Sequence, residues 1–140
     1  MIQKLLTDLK KNNMNDIVDF LNKSKSKDEN GFPDDGLKEL RTAWEKFLIK
    51  IVKFLGESPK PKNNQRLEQI ENKIQINKNI IKLLDDKYCF LSGTIVHENE
   101  TSKSDKESKM VTCNNTDFDF LFDEIERSMD YLMDKVMLKI

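Results

Sequence analysis

At 140 residues the chain is of single-domain length and can bury roughly two-thirds of its unfolded surface. Charged residues make up 35% and hydrophobic residues 37%, with only 4 glycines and 3 prolines. That profile excludes a fold of many tight turns and suits thin helices with charged outer faces. The 24 basic and 25 acidic side chains nearly cancel, so the basic excess of a dedicated nucleic-acid binder is missing. Only Arg41, Arg66 and Arg127 offer planar recognition of phosphate or guanine. A single RNA or nucleotide site stays open.

The first apolar residues, Ile2, Leu5, Leu6 and Leu9, recur at helical spacing, and Ile17, Val18, Phe20 and Leu21 follow after an Asn-rich break. Two short helices or one interrupted helix result, with Asn13 or Asn15 as cap. Residues 22–36 are polar and turn-rich and read as a loop. The next segment has the clearest helical period: Leu37, Leu40, Trp44, Phe47, Leu48, Ile51, Val52 and Leu55 form one broad stripe. Asp34 or Asp35 caps its start, Gly56 ends it, and Pro59 and Pro61 prevent an immediate restart.

Residues 64–86 read as a third helix with Leu67, Ile70, Ile74, Ile80, Ile81 and Leu84 inward and Asn77 interrupting the stripe. The run from Tyr88 to His97 carries no charge before its histidine. Period alone leaves helix or strand open there, and a short buried helix is the preferred reading, with Cys89 as a small buried hydrophobe. Residues 98–115 are too polar to offset the cost of ordering and read as a second loop. Thr116-x-x-Asp119 resembles a capping box before a last helix with Phe118, Leu121, Phe122, Ile125, Met129, Leu132, Met133 and Val136 inward. The fold expected is all-α: one domain, residues 1–140, forming a helical bundle of four to five helices.

Cys89 and Cys113 lack a CxxC spacing, which gives neither a zinc site nor a disulfide framework. No stretch approaches about 20 apolar residues, and Met1-Ile2-Gln3-Lys4 opens no signal-peptide core. A cytoplasmic protein with no membrane segment, no metal and no cofactor is expected. His97 is the only side chain with an ordinary pKa near neutrality, so it is the candidate catalytic residue, a general acid or base beside a polar loop. Ser92 does not fit a nucleophile elbow, because Phe90 and Thr94 occupy the glycine positions. Asp85-Asp86 and Glu98-x-Glu100 read as solvated acidic pairs, and Trp44 reads as core. Arg41 and Glu45 are four apart beside the main stripe and either pair with each other or reach to another helix.

The segment Leu40-Arg41-Thr42-Ala43-Trp44-Glu45-Lys46-Phe47-Leu48, running on to Leu55-Gly56, resembles an early helix of HEPN-type domains. These are small helical bundles of bacteria and archaea. His97 lies after a long helix and ahead of a C-terminal one, where such domains carry the histidine of an Arg–His signature. The resemblance covers residues 37–140 and rests on a pattern common among helices. It implies a bundle that pairs through its helices into a homodimer. In catalytic members it also implies metal-independent RNA cleavage, the histidine moving a proton at the ribose hydroxyl and the arginine stabilising the anionic transition state.

The chain departs from the signature at the decisive place. Counting back from His97, the arginine positions hold Ser92, Leu91 and Phe90, none of which donates a rigid fork to phosphate. Lys87 or Arg41 would have to supply the cation from elsewhere in space. The resemblance therefore implies a non-catalytic HEPN-like domain that binds a partner protein, RNA or a nucleotide, in prokaryotic defence or stress response, with Arg41, Glu45 and Ser92 as binding residues. A ribonuclease using His97 and an unrelated helical interaction protein of phage or mobile-element origin are the alternatives.

Overall fold

A computed structural model describes the backbone of residues 2–99 and 113–139, and the side chains of all of these except 94–99 and 138–139. The described residues contain six helices and no strand: α1 (Gln3–Lys11), α2 (Asn15–Glu29), α3 (Pro33–Phe54), α4 (Asn63–Lys73), α5 (Lys78–Asn99) and α6 (Asn115–Lys139). The all-α expectation holds. The helix count exceeds the expected four to five, because the first segment forms two separate helices, α1 and α2; two boundaries also differ from the sequence reading.

The first difference lies in the polar stretch 22–36. Most of it is helical: α2 continues to Glu29, and α3 begins at Pro33 with Asp34 and Asp35 in its first turn. The buried stripe of α2 is Ile17, Leu21, Ser24 and Asp28, which keeps helical spacing while changing from apolar to polar. Each polar member has a partner. The Ser24 hydroxyl donates to the Gly36 carbonyl at 2.7 Å, and the Asp28 carboxylate accepts from the Asn115 amide at 2.7 Å.

The second difference divides the expected 64–86 helix. The chain leaves α4 at Ile74, whose backbone is extended (φ −128°, ψ 140°), and re-enters a helix at Lys78. Ile74 and Ile76 both point into the core across this link. The Asn77 carboxamide accepts the Asn79 N–H at 2.8 Å and so caps α5. Tyr88 to His97 is then the second half of α5 rather than a helix of its own. Leu91 is fully buried there, but Cys89 is exposed, against the expectation of a buried thiol, and Phe90 is 64% exposed. Residues 100–112 of the expected 98–115 loop lie outside the described residues.

The break between α1 and α2 is made by Asn13 in the left-handed region (φ 60°), a conformation asparagine tolerates better than most residues. Gly56 (φ 88°) ends α3 as its position predicted, with the Glu57 N–H returning to the Val52 carbonyl at 3.1 Å.

The centre of the core is α3, which packs against α2, α4, α5 and α6. Leu37, Leu40, Ala43, Trp44, Phe47, Leu48, Ile51 and Val52 are all buried along it. Side chains of this size each contribute about 1.5–3 kcal/mol on full burial. The first helix, α1, closes one end by packing on α2 and α6. The Lys4 ammonium sits among the carboxylates of Asp8, Asp130 and Asp134, and the Ile2 N–H donates to the buried Glu126 at 3.0 Å.

Gly36 marks the closest approach in the core. A Cβ there would stand 2.8 Å from the Phe118 ring and 2.8 Å from the Ser24 carbonyl oxygen. Gly93, in α5, has no such neighbours. Alanine in place of a helical glycine is worth about 1 kcal/mol where space allows. Gly93→Ala is therefore expected to raise the urea midpoint. Gly36→Ala is expected to lower it, with a net loss of about 1–3 kcal/mol from overpacking.

Candidate functional site

Three contacts orient α5 against α3 and α4. Lys78, at the start of α5, pairs with Glu71 near the end of α4 at 2.9 Å. Asp85 accepts from the Asn63 amide at 2.8 Å, and the Trp44 indole N–H donates to the Asn63 carboxamide oxygen at 2.9 Å. One turn further along α5, the Tyr88 hydroxyl donates to the Glu45 carboxylate at 2.5 Å. The helices therefore run antiparallel. Going back one turn on α3, from Glu45 to Arg41, matches going forward one turn on α5, from Tyr88 to Ser92.

The three residues singled out for binding all interact with Tyr88, Glu45 through a hydrogen bond and Ser92 and Arg41 through their effect on the phenol. Glu45 does not pair with Arg41 in its own helix and reaches across to Tyr88 instead. Among the described residues Arg41 Nε is buried without a hydrogen-bond partner, whereas the Ser92 hydroxyl interacts with the Tyr88 phenol one turn away on the same helix. Burial raises the Tyr88 phenol above its ordinary pKa, and the bond to Glu45 adds to this. The nearby Ser92 hydroxyl and the Arg41 charge pull the other way. Arg41 is therefore close enough to Tyr88 to act on it electrostatically.

On the other side of the Glu45–Tyr88 pair lies an open cleft of about 510 Å³, lined by residues that include Asn63, Arg66 and Asp85. Its wall is held by the returning loop at 55–62. Arg66 donates through Nε to the Lys60 carbonyl at 2.8 Å and through Nη2 to the Pro61 carbonyl at 2.9 Å. Gln69 accepts the Lys60 N–H at 3.0 Å and donates to the Ser58 carbonyl at 2.8 Å. The chemistry on offer is mixed. Glu45 and Asp85 are acidic, Arg66 is already engaged, and Cys89 at the edge has its thiol raised by burial and by the charges of Asp85 and Asp86.

Of the two cations considered as substitutes for a signature arginine, Lys87 is committed elsewhere. It pairs with Glu124 at 3.0 Å and donates to Ser128 at 3.2 Å. Arg41 makes no hydrogen bond or ion pair with any described residue. The His97 side chain lies outside the described residues, but its backbone belongs to α5.

Elsewhere, Asp8, Asp130 and Asp134 bring their carboxylate oxygens within 4.8 Å of one another, a spacing compatible with a metal ion. The Lys4 ammonium already supplies the positive charge there, and the carboxylates of Asp134 and Asp130 hold its pKa well above the usual lysine value. No described helix is long and apolar enough to cross a membrane.

Two residues of the site escaped the sequence reading. Tyr88 opens a run taken as buried, yet it stands four residues before Ser92, the same step that separates Arg41 from Glu45. Asn63 looked like a loop residue. No feature of the sequence marked it as the acceptor for Trp44. Neither a protein-family model, a curated protein nor a solved structure matches the chain.

Trp44 is the only tryptophan, so its environment is directly measurable. Asn63→Ala is expected to leave its buried N–H unpaired, cost about 1–3 kcal/mol in urea unfolding and shift the tryptophan emission. A second test uses alkali. A phenol raised in the folded state favours the protonated form there, so its contribution is complete below the unfolded pKa of about 10 and is lost as pH rises through the folded value. Stability is therefore expected to fall above about pH 10. Tyr88→Phe should make that decline shallower, the remainder coming from the other groups raised in the folded state, Tyr131, Cys89, Lys4 and Lys78.

Proposed function

We propose that the chain is a non-catalytic, HEPN-like helical bundle that binds RNA or a nucleotide along the seam between α3 and α5. The observation that carries the reading is Arg41, a half-buried guanidinium with no bonded partner among the described residues. Arginines at protein–protein seams and in cores are ordinarily paired, whereas an open fork on a polar wall suits an incoming phosphate. Glu45, Tyr88 and Ser92 add acceptors and donors for sugar and base groups within reach of the same wall, and the cleft beside them has room for one base.

The non-catalytic part of the reading rests on the missing cation: Ser92, Leu91 and Phe90 hold the signature-arginine positions before His97, and Lys87 is engaged by Glu124 and Ser128. The resemblance that motivates the HEPN-like assignment also implies a homodimer, and a cytoplasmic setting accompanies it.

Fluorescence anisotropy with short single-stranded RNA tests the reading. Saturable binding that weakens about tenfold or more in Arg41→Gln is the expected result, in line with loss of a charge-assisted hydrogen bond. Parallel incubation with mixed RNA should yield no cleavage. Absence of any RNA or nucleotide binding would overturn the proposal, and cleavage abolished by His97→Ala would replace it with the ribonuclease.

A further inference from the structure

The polar side chains that line the 510 Å³ cleft between α3, α4 and α5 offer a ligand acceptors more readily than donors. The donors are largely engaged. Asn63 gives its amide to Asp85, the Tyr88 hydroxyl goes to Glu45, and Arg66 donates to two successive carbonyls, those of Lys60 and Pro61. The acceptors are not. Among the described residues, Asn63 bonds Oδ1 of Asp85 and Tyr88 bonds Oε2 of Glu45, which leaves Asp85 Oδ2 and Glu45 Oε1 without a hydrogen bond. A carboxylate has about four lone-pair sites and no hydrogen of its own, so the ligand must bring donors.

We propose that this cleft takes a guanine base, whose Watson–Crick edge donates to Asp85 and Glu45. The inference rests on the RNA- or nucleotide-binding reading above and deepens it by naming the base. The pattern of hydrogens on the base selects it. Guanine carries N1–H and the N2 amino group side by side, two donors with no acceptor between them. Adenine and cytosine set a ring acceptor beside the amino group, and uracil sets its one ring N–H between two carbonyls. Each of those acceptors would meet a carboxylate oxygen with no hydrogen between the two. The remaining group on the guanine edge, O6, is an acceptor, and the exposed Lys62 is the cation on this wall that can meet it.

The wall also supplies planes on which a flat ring can stack. Unpaired bases are held on aromatic rings and on arginine planes. The half-buried Tyr88 is fixed by its bond to Glu45 at 2.5 Å. The Lys60 and Pro61 carbonyls hold Arg66 by its edge, which engages in-plane hydrogens and leaves the flat face of the guanidinium for stacking. A simple cation would satisfy the two carboxylates but use neither plane. A purine uses both features.

Isothermal titration calorimetry of the full chain with GMP, AMP, CMP and UMP tests the assignment. GMP is expected to bind saturably and about tenfold or more tighter than the other three. IMP, which keeps N1–H but lacks the amino group, should bind about tenfold more weakly than GMP. Asp85→Asn and Glu45→Gln keep the shape of each side chain but replace one carboxylate oxygen with a donor, so each should remove the preference for GMP over AMP. Trp44 emission reports whether the fold survives. Because the Trp44–Asn63–Asp85 link does not involve Glu45, Glu45→Gln decides the matter even where Asp85→Asn disturbs the core.

Equal affinity for all four nucleotides would overturn the inference while leaving the binding reading in place. So would IMP bound as tightly as GMP, or a GMP preference that survives both substitutions in folded protein. Methylguanidinium bound as tightly as GMP would overturn it in favour of a basic side chain from a protein partner. Guanosine bound without affinity for any nucleotide or RNA would keep the base site and remove the wider reading. No binding of any of these probes would remove both.

Discussion

Trp44 carries an indole N–H into the core, where it is 1% exposed, and the path of the chain from there to α5 follows from satisfying it. The acceptor is Asn63, the first residue of α4. Trp44 lies ten residues before the end of α3 at Phe54, about 15 Å of helix rise. The link after Gly56 must therefore run back along α3 before α4 can begin. Gln69 and Arg66 hold that returning link by its backbone, and Lys73 pairs with Glu57 at 3.7 Å where α4 ends. The fourth helix thus runs parallel to α3, and α5, after its short extended link, runs antiparallel to both. Glu45 meets Tyr88 as a consequence.

The seam this creates is expensive for the fold. An apolar seam of the same shape would need no Glu45–Tyr88 bond and no half-buried guanidinium, and replacing buried charges by packed hydrophobes is often neutral or stabilising. The rest of the interior follows the ordinary rule, since the polar side chains at the α2–α3–α6 junction and around the 55–62 loop are each bonded. Among the described residues the exception is Arg41 Nε on α3, near the Glu45–Tyr88 pair. Local departures from an otherwise consistent structure are where function is expected, because binding can supply what folding leaves unmet.

Much of this was legible in the residues, but unevenly. The α3 stripe from Leu37 to Val52 and its end at Gly56 follow directly from spacing and from the glycine's left-handed freedom. The helix from Ser24 to Asp28 was hidden because its inward positions are polar; burial there is paid for by Gly36 and Asn115, partners distant in sequence. The division at 74–77 was hidden for the opposite reason, since Ile74 and Ile76 fit an apolar stripe and give no sign that the backbone is extended. Arg41, Glu45 and Ser92 were identifiable as unusual polar positions beside apolar stripes. Their meeting was not, because it depends on the reversal that Asn63 imposes, and Asn63 reads as any loop asparagine.

Charge balance shapes what such a site can do. With basic and acidic residues nearly equal, the protein has no broad positive field to draw in a polyanion or to hold it by releasing many counterions. Lys23 and Lys46 lie over the Phe20 ring, and other lysines are consumed in ion pairs such as those of Lys50 with Asp16 and Lys27 with Glu39. Recognition in the proposed reading is therefore local, centred on the Arg41 guanidinium. Such binding depends only weakly on salt, because few phosphates are neutralised. Its selectivity comes from groups held in place by joined helices, so the pair that joins α3 to α5, Glu45 and Tyr88, governs affinity.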